Sequence, residues 1–223
     1  MTLLREIQIL LERTYGETGV NFEEFLLGPE RAEVLAEWAG RMASQISDLG
    51  RTFLRTVEGD LRIGIYYDPR VIAALEHHNP QYGLNDDNVL AFMVFLEELD
   101  HAVHAALKFR EGQREIYSEP FVRDLELQAK VDTYLILQMY VAFFNKPKKL
   151  TSHDRRWLRD CVFEADNSAF DEPLLRERYR ETNRLGHRYV RHLDKLSASR
   201  RTAEIRRFRQ LPYSQKCDRI AAV

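Results

Sequence analysis

Cysteine is scarce in this chain of 223 residues: only Cys161 and Cys217 are present. Two thiols cannot build a disulfide framework or a cysteine-rich zinc knuckle. Ten glycines and seven prolines are few for the length, which disfavours a turn-rich β fold and favours helices. The glycines are scattered and form neither a P-loop nor a dinucleotide-binding pattern, and no Gly-x-Ser-x-Gly occurs, so ATP-driven, nicotinamide and serine-hydrolase chemistry are not expected. The longest apolar run, Val89 to Leu96, is far shorter than the ~18–20 residues of a membrane span. Arg5, Glu6, Glu12 and Arg13 interrupt the first apolar stretch, which is not how a signal peptide reads. The expectation is a soluble cytoplasmic protein with no membrane partner.

What is present is ordinary globular composition, 44% hydrophobic and 30% charged, enough to bury a core without staples. Apolar residues recur at helical spacing over 2–15, and Pro29 suits the first turn of a helix running to about residue 47. Residues 51–67 change period: Leu61, Ile63, Ile65 and Tyr67 alternate with Arg62, Gly64 and Tyr66, and Glu58-Gly59-Asp60 joins them to Phe53–Val57 as a hairpin. Asp68-Pro69 opens a helix ending near His78. Further helices are expected over about 87–110, 120–144, 152–166, 173–196 and 202–210. The fold class is therefore α+β and mostly helical, with a small hairpin or sheet near 51–67, a multi-helix core and a helical C-terminal extension. Asn145-Lys146-Pro147-Lys148-Lys149 is the best internal boundary. It divides the chain into 1–144 and a basic helical region, 150–223, that packs on the first part.

Chemistry concentrates in Phe95-Leu96-Glu97-Glu98-Leu99-Asp100-His101-Ala102-Val103-His104. At 100° per residue, His101, His104 and Lys108 fall within about 40° of Glu97, with Asp100 and Glu98 flanking them. Groups four and seven apart on one helix face can ligate one metal ion or hold one water. Leu90, Met93 and Val94 occupy the same sector one turn earlier, so the polar cluster is expected in a sheltered cleft, where charge needs pairing or a metal. On the next helix, Glu126 stands in an apolar and small stripe with Val122, Ala129, Thr133, Leu137 and Tyr140. Asp132 lies near Phe121, Leu125, Ile136 and Met139. An inward carboxylate is either paired or a ligand.

Glu97-Glu98-Leu99-Asp100-His101 resembles the metal-binding helix of zincin metallopeptidases, with Glu97 where HExxH has its first histidine. The resemblance implies Glu98 as general base, His101 as second ligand and Glu126 as the third ligand of the gluzincin branch, with His104 as a further candidate. It implies zinc, or another divalent transition metal such as iron or manganese, and a hairpin edge offered to a peptide. It covers roughly residues 51–144. The carboxylate at Glu97 makes the implied site more negative and acidifies a zinc-bound water less. The leading expectation is a degenerate zincin-like protein that acts through a protein partner, with a residual metal site at Glu97, His101 and Glu126. An active metal-dependent peptide hydrolase is the alternative. The plain alternative is a solvated face, with Glu126 bonded to a lysine such as Lys130. A ferritin-like di-iron bundle needs a second Glu-x-x-His, which the late helix lacks.

The late helix carries Arg176, Arg180, Arg184, Arg188, Arg191 and Lys195 as a near-continuous i, i+4 ladder. Residues 173–209 hold twelve Lys+Arg against Glu177, Glu181, Asp194 and Glu204, about +8 in a chain of −2. Such a stripe can bind nucleic acid or an acidic partner, or be solvated, or dock on the acidic remainder of the chain. The stripe itself carries no aromatic, Tyr179 and Tyr189 lying on the opposite side, which counts against base stacking.

Overall fold

A computed structural model describes residues 1–39, 49–164 and 173–223. The expected α+β, mostly helical class is what the chain adopts: nine α-helices and a three-stranded sheet among the described residues. The helices are α1 (Leu3–Tyr15), α2 (Pro29–Ala39), α3 (Pro69–His77), α4 (Val89–Arg110), α5 (Glu119–Phe144), α6 (Ser152–Phe163), α7 (Pro173–Leu193), α8 (Ala198–Gln210) and α9 (Tyr213–Ala221). The strands are β1 (Leu26–Leu27), β2 (Gly50–Val57) and β3 (Asp60–Tyr67). Parts of two expected helices, over 40–47 and 165–166, lie outside the described residues.

Local chemistry sets the boundaries. The Thr2 hydroxyl accepts from the Arg5 amide at 3.2 Å to start α1, which stops at Gly16 with φ 124. Asp68 caps α3 with Pro69 behind it, Ser118 caps α5, and Thr151 and Asp154 form a reciprocal capping box on α6. The β2–β3 hairpin closes through Glu58 (φ 52) and Gly59 (φ 87), with Val57 opposite Asp60. Both central residues being left-handed, this is the tight turn whose twist matches the strands. The third strand, β1, is only two residues long. It lies parallel to β3, Leu26 opposite Ile65.

Helix α4 is the axis of the molecule. It packs on β2 and β3 on one side and on α5 on another, with α1 and α3 against it. Gly50 allows the sheet to approach, since a Cβ there would lie 2.7 Å from Val94 Cγ1 and 2.9 Å from Glu98 Cγ. Tyr67 donates to the Phe95 carbonyl at 3.0 Å. One hydrophobic cluster runs from Leu4 and Ile7 through Leu96 and Leu127 to Tyr189, Phe208 and Ile220, so the core is continuous across Asn145–Lys149. The expected shelter of the first half of α4 holds at buried Met93 and half-buried Val94. It fails at Leu90, which is 60% exposed.

Candidate functional site

Helices α4 and α5 run antiparallel, and their seam is charged although it is buried. Six carboxylates lie there, on Glu97, Glu98, Asp100, Asp124, Glu126 and Asp132, with His101, His104 and the ammonium groups of Lys108, Lys130 and Lys216. Burying charge is costly unless it is paired, and the pairing divides these groups into two rows.

The first row faces the sheet and α7. Lys130 Nζ donates to Glu97 Oε1 at 2.6 Å. His101 Nε2 lies 3.6 Å from Glu126 Oε2, and its Nδ1 lies 3.8 Å from Glu98 Oε2. The Thr52 hydroxyl on β2 is 2.8 Å from both Glu98 Oε2 and the Glu98 carbonyl, and Tyr179 on α7 donates to Glu126 Oε1 at 3.3 Å. Burial works against a charged His101, yet Glu126 and Glu98 overcome it and hold its pKa well above the ordinary imidazole value.

The second row faces α1 and α9. His104 Nε2 lies 3.0 Å from Asp132 Oδ2 and 3.3 Å from Asp100 Oδ1. Tyr15 donates to Asp132 Oδ1, and Gln128 donates to Asp132 Oδ2 at 3.0 Å. Asp124 sits between two ammonium groups, with Lys108 on one oxygen and Lys216 Nζ at 2.7 Å from the other. Lys216 also donates to Gln128 Oε1 at 2.8 Å. Burial pushes the Asp100 carboxyl up to about 6, His104 pulling it down and Asp132 pushing it further up. His104 itself is raised: burial opposes its charge, but Asp100 and Asp132 outweigh that. Burial draws Lys216 down to about 8 in spite of Asp124. Asp124 is held below the usual carboxylate range, because Lys216 and Lys108 outweigh the upward push of burial. The opposite fortunes of this pair have two causes: burial, with Lys108 repelling in addition, opposes the charge of Lys216, whereas two ammonium groups together support the single charge of Asp124.

These rows correct the ligand set expected from the sequence. His101 and Glu126 do face each other, but Glu97 does not join them. In the antiparallel pairing Glu97 meets Lys130, one turn beyond Glu126, and its carboxylate is occupied by that ammonium. Lys130 is therefore the partner of Glu97, not of Glu126 as the plain reading had it. Glu98, the expected base, is 4% exposed and held by Thr52. Among the described residues, Asp100, His104 and Asp132 alone form a His/carboxylate group whose ligand atoms all lie within 4.8 Å of one another. The i, i+4 spacing of Asp100 and His104 is a sequence signal for that pair; their meeting with Asp132 depends on how α5 lies against α4.

On α7, Arg180, Arg184, Arg188, Arg191 and Lys195 are exposed and Arg176 is half-buried. Arg180 pairs with Glu177 at 3.2 Å, and Arg188 donates to the Ala221 carbonyl at 2.7 Å, capping the end of α9. The ladder is thus partly spent inside the chain. A separate cleft of about 510 Å³ lies between α1 and the end of α5, lined by Ile7, Leu10, Met139, Tyr140, Phe143 and Phe144. Met139 and Phe143 beside it are 45% and 61% exposed. No helix among the described residues is long and apolar enough to cross a membrane. No family model, no curated protein and no solved structure matches the chain.

Proposed function

We propose that this chain is a degenerate zincin-like protein that acts by binding a protein partner, not by cleaving peptide bonds. One observation carries the reading: the residues that would perform hydrolysis are consumed by internal contacts. Glu97 is bonded to Lys130, Glu98 to Thr52, and His101 faces Glu126, each of them buried. A general base must reach a water that also reaches substrate, and Glu98 has no such exposure. Partner binding fits the apolar cleft at the end of α5, since contiguous exposed apolar surface marks interaction sites. Two free cysteines suit a reducing, cytoplasmic setting.

The test is proteolysis of an unfolded polypeptide by the full chain, stripped with chelator and reloaded with Zn²⁺, Mn²⁺ or Fe²⁺. Cleavage is expected to be no greater than that of a Glu98→Gln control. Metal-dependent cleavage that Glu98→Gln abolishes would establish the hydrolase instead. A second reading, an acidic or nucleic-acid partner on α7, is favoured by the shared exposure of Arg184, Arg191 and Lys195. It requires retention on heparin that falls steeply between ~50 and ~200 mM salt and weakens in Arg184→Glu. The apolar cleft requires partner crosslinks that Phe143→Asp removes.

A further inference from the structure

We infer that Asp100, His104 and Asp132 form a structural binding site for one divalent first-row transition metal ion, clamping α4 to α5 beneath α1. This ligand set is distinct from the zincin-like one, and it does not depend on whether the chain cleaves peptides.

The geometry comes first. Metal bonds of ~2.0–2.2 Å from imidazole nitrogen and carboxylate oxygen place neighbouring ligand atoms ~3–3.5 Å apart. His104 Nε2 stands 3.0 Å from Asp132 Oδ2 and 3.3 Å from Asp100 Oδ1, which matches that spacing. All three side chains are at most 3% exposed. The donors are one imidazole and two carboxylates, a mixed set suited to zinc, iron or manganese.

The second observation is an unmet need inside the cluster. Neither oxygen of Asp100 accepts a hydrogen bond among the described residues, although the residue is 1% exposed. His104 Nε2 lies close to Asp100 but off the hydrogen-bonding line, and a single N–H cannot serve Asp100 and Asp132 together. A cation placed among the three satisfies both carboxylates at once.

The surroundings hold the ligands in place. Tyr15 and Gln128 fix the two oxygens of Asp132, as outer partners of metal-bound carboxylates do. The Tyr15 ring also packs edge-on against the imidazole, with centroids 4.9 Å apart. His104 Nδ1 has no partner among the described residues with or without a metal, so it does not distinguish the two states. The six seam carboxylates face three ammonium groups, an excess of negative charge that favours a cation. Three protein donors would leave the fourth position to a water or to the second oxygen of a carboxylate, and burial keeps that position from a substrate.

The experiment uses the full chain, stripped with chelator and dialysed against Zn²⁺ or Mn²⁺. Metal analysis is expected to give one equivalent per chain. X-ray absorption of the zinc form is expected to show one imidazole and otherwise oxygen ligands at ~2.0–2.2 Å. Asp100→Asn and Asp132→Asn, near-isosteric changes, should weaken binding at least tenfold, while Glu126→Gln and Glu97→Gln leave it within twofold. Should either aspartate variant misfold, the ligand count of the unaltered chain still decides. No stoichiometric uptake of either metal, two imidazoles in the shell, or loss of binding in Glu126→Gln with retention in Asp100→Asn would each overturn the assignment.

Discussion

Asp124 is the carboxylate whose removal the structure makes most informative. It lies between Lys108 and Lys216, all three at most 3% exposed, and among the described residues no other carboxylate pairs with both ammonium groups. Asp124→Asn keeps the volume and deletes the charge. Breaking a buried pair by removing one partner costs ~3–5 kcal/mol. The share carried by Lys216 is bounded, because that lysine can release its proton. With its pKa at about 8, releasing the proton of Lys216 in the folded form at pH 7 costs only ~1.4 kcal/mol, one pH unit at 1.36 kcal/mol. The remainder falls on Lys108. For a chain of this size each kcal/mol moves the melting temperature by ~2–4 °C, so a fall of about 6–20 °C is expected by circular dichroism. Lys216→Met in the same background should recover part of the loss, with a coupling energy of ~0.5–3 kcal/mol in a double-mutant cycle. A loss below ~1 kcal/mol, or strict additivity of the two changes, would show that the three groups do not form the shared ion pair described here.

In the metal-free chain, Asp100, His101 and His104 all titrate above their ordinary values, so the folded state holds more protons than the unfolded state. Asp100 therefore lowers stability as pH rises from about 4 to about 6, and the histidine contribution, complete below about 6.5, is lost as pH climbs through their raised values. Urea midpoints should fall between pH 6.5 and about 8, less steeply in Glu126→Gln, before the lowered Lys216 begins to act in the opposite sense; a midpoint that rises or stays flat in that window contradicts the assignment. Gly186→Ala places a Cβ 2.7 Å from Phe163 Cε1 in the α6–α7 packing. The overpacking cost of ~1–3 kcal/mol should exceed the ~1 kcal/mol gained in helix propensity, so a melting temperature above that of the parent would be the wrong result. Glu58→Asn relieves a non-glycine left-handed turn residue at φ 52 and should raise stability by ~0.5–1 kcal/mol in urea unfolding, with no gain refuting the turn assignment. Glu97→Leu alone should cost ~3–5 kcal/mol, whereas Glu97→Leu with Lys130→Met should return to within ~1 kcal/mol of the parent by the same measurement.

The elements readable from sequence are those with local signals. Asp68-Pro69, Ser118 before Pro120, and Thr151 with Asp154 mark helix starts by chemistry confined to four residues. The hairpin is legible because alternation and a Glu-Gly turn sit side by side. β1 is not, because two leucines become a strand only through pairing with β3, some forty residues on. Helix α9 escaped for a different reason. Its inward positions are Tyr213, Lys216, Cys217 and Ile220, and a fully buried lysine in that stripe disguises the helical period. The start of α4 shifts from 87 to Val89 because Asn85 takes the amides of Asp87 and Asn88, holding them outside the helix.

The candidate site shows the same division. That carboxylates and imidazoles crowd one face of α4, and that Glu126 and Asp132 point inward, follows from helical geometry on a single strand of sequence. Which group meets which depends on the register between α4 and α5, and no periodicity carries that. The register is set by the turn over 111–118 and by Lys108 meeting Asp124 at its mouth. From there the antiparallel sense dictates the rest: Glu97 reaches Lys130, His101 reaches Glu126, and His104 reaches Asp132. A buried ion pair is weak evidence for stability, since well-packed apolar residues often do as well. Four such contacts in one seam instead fix a unique register, because a slip of one turn would set Glu97 against Glu126 and leave Lys130 without a carboxylate. The register that keeps Glu97 with Lys130, apart from His101 and Glu126, is thus the same one that brings Asp132 to His104.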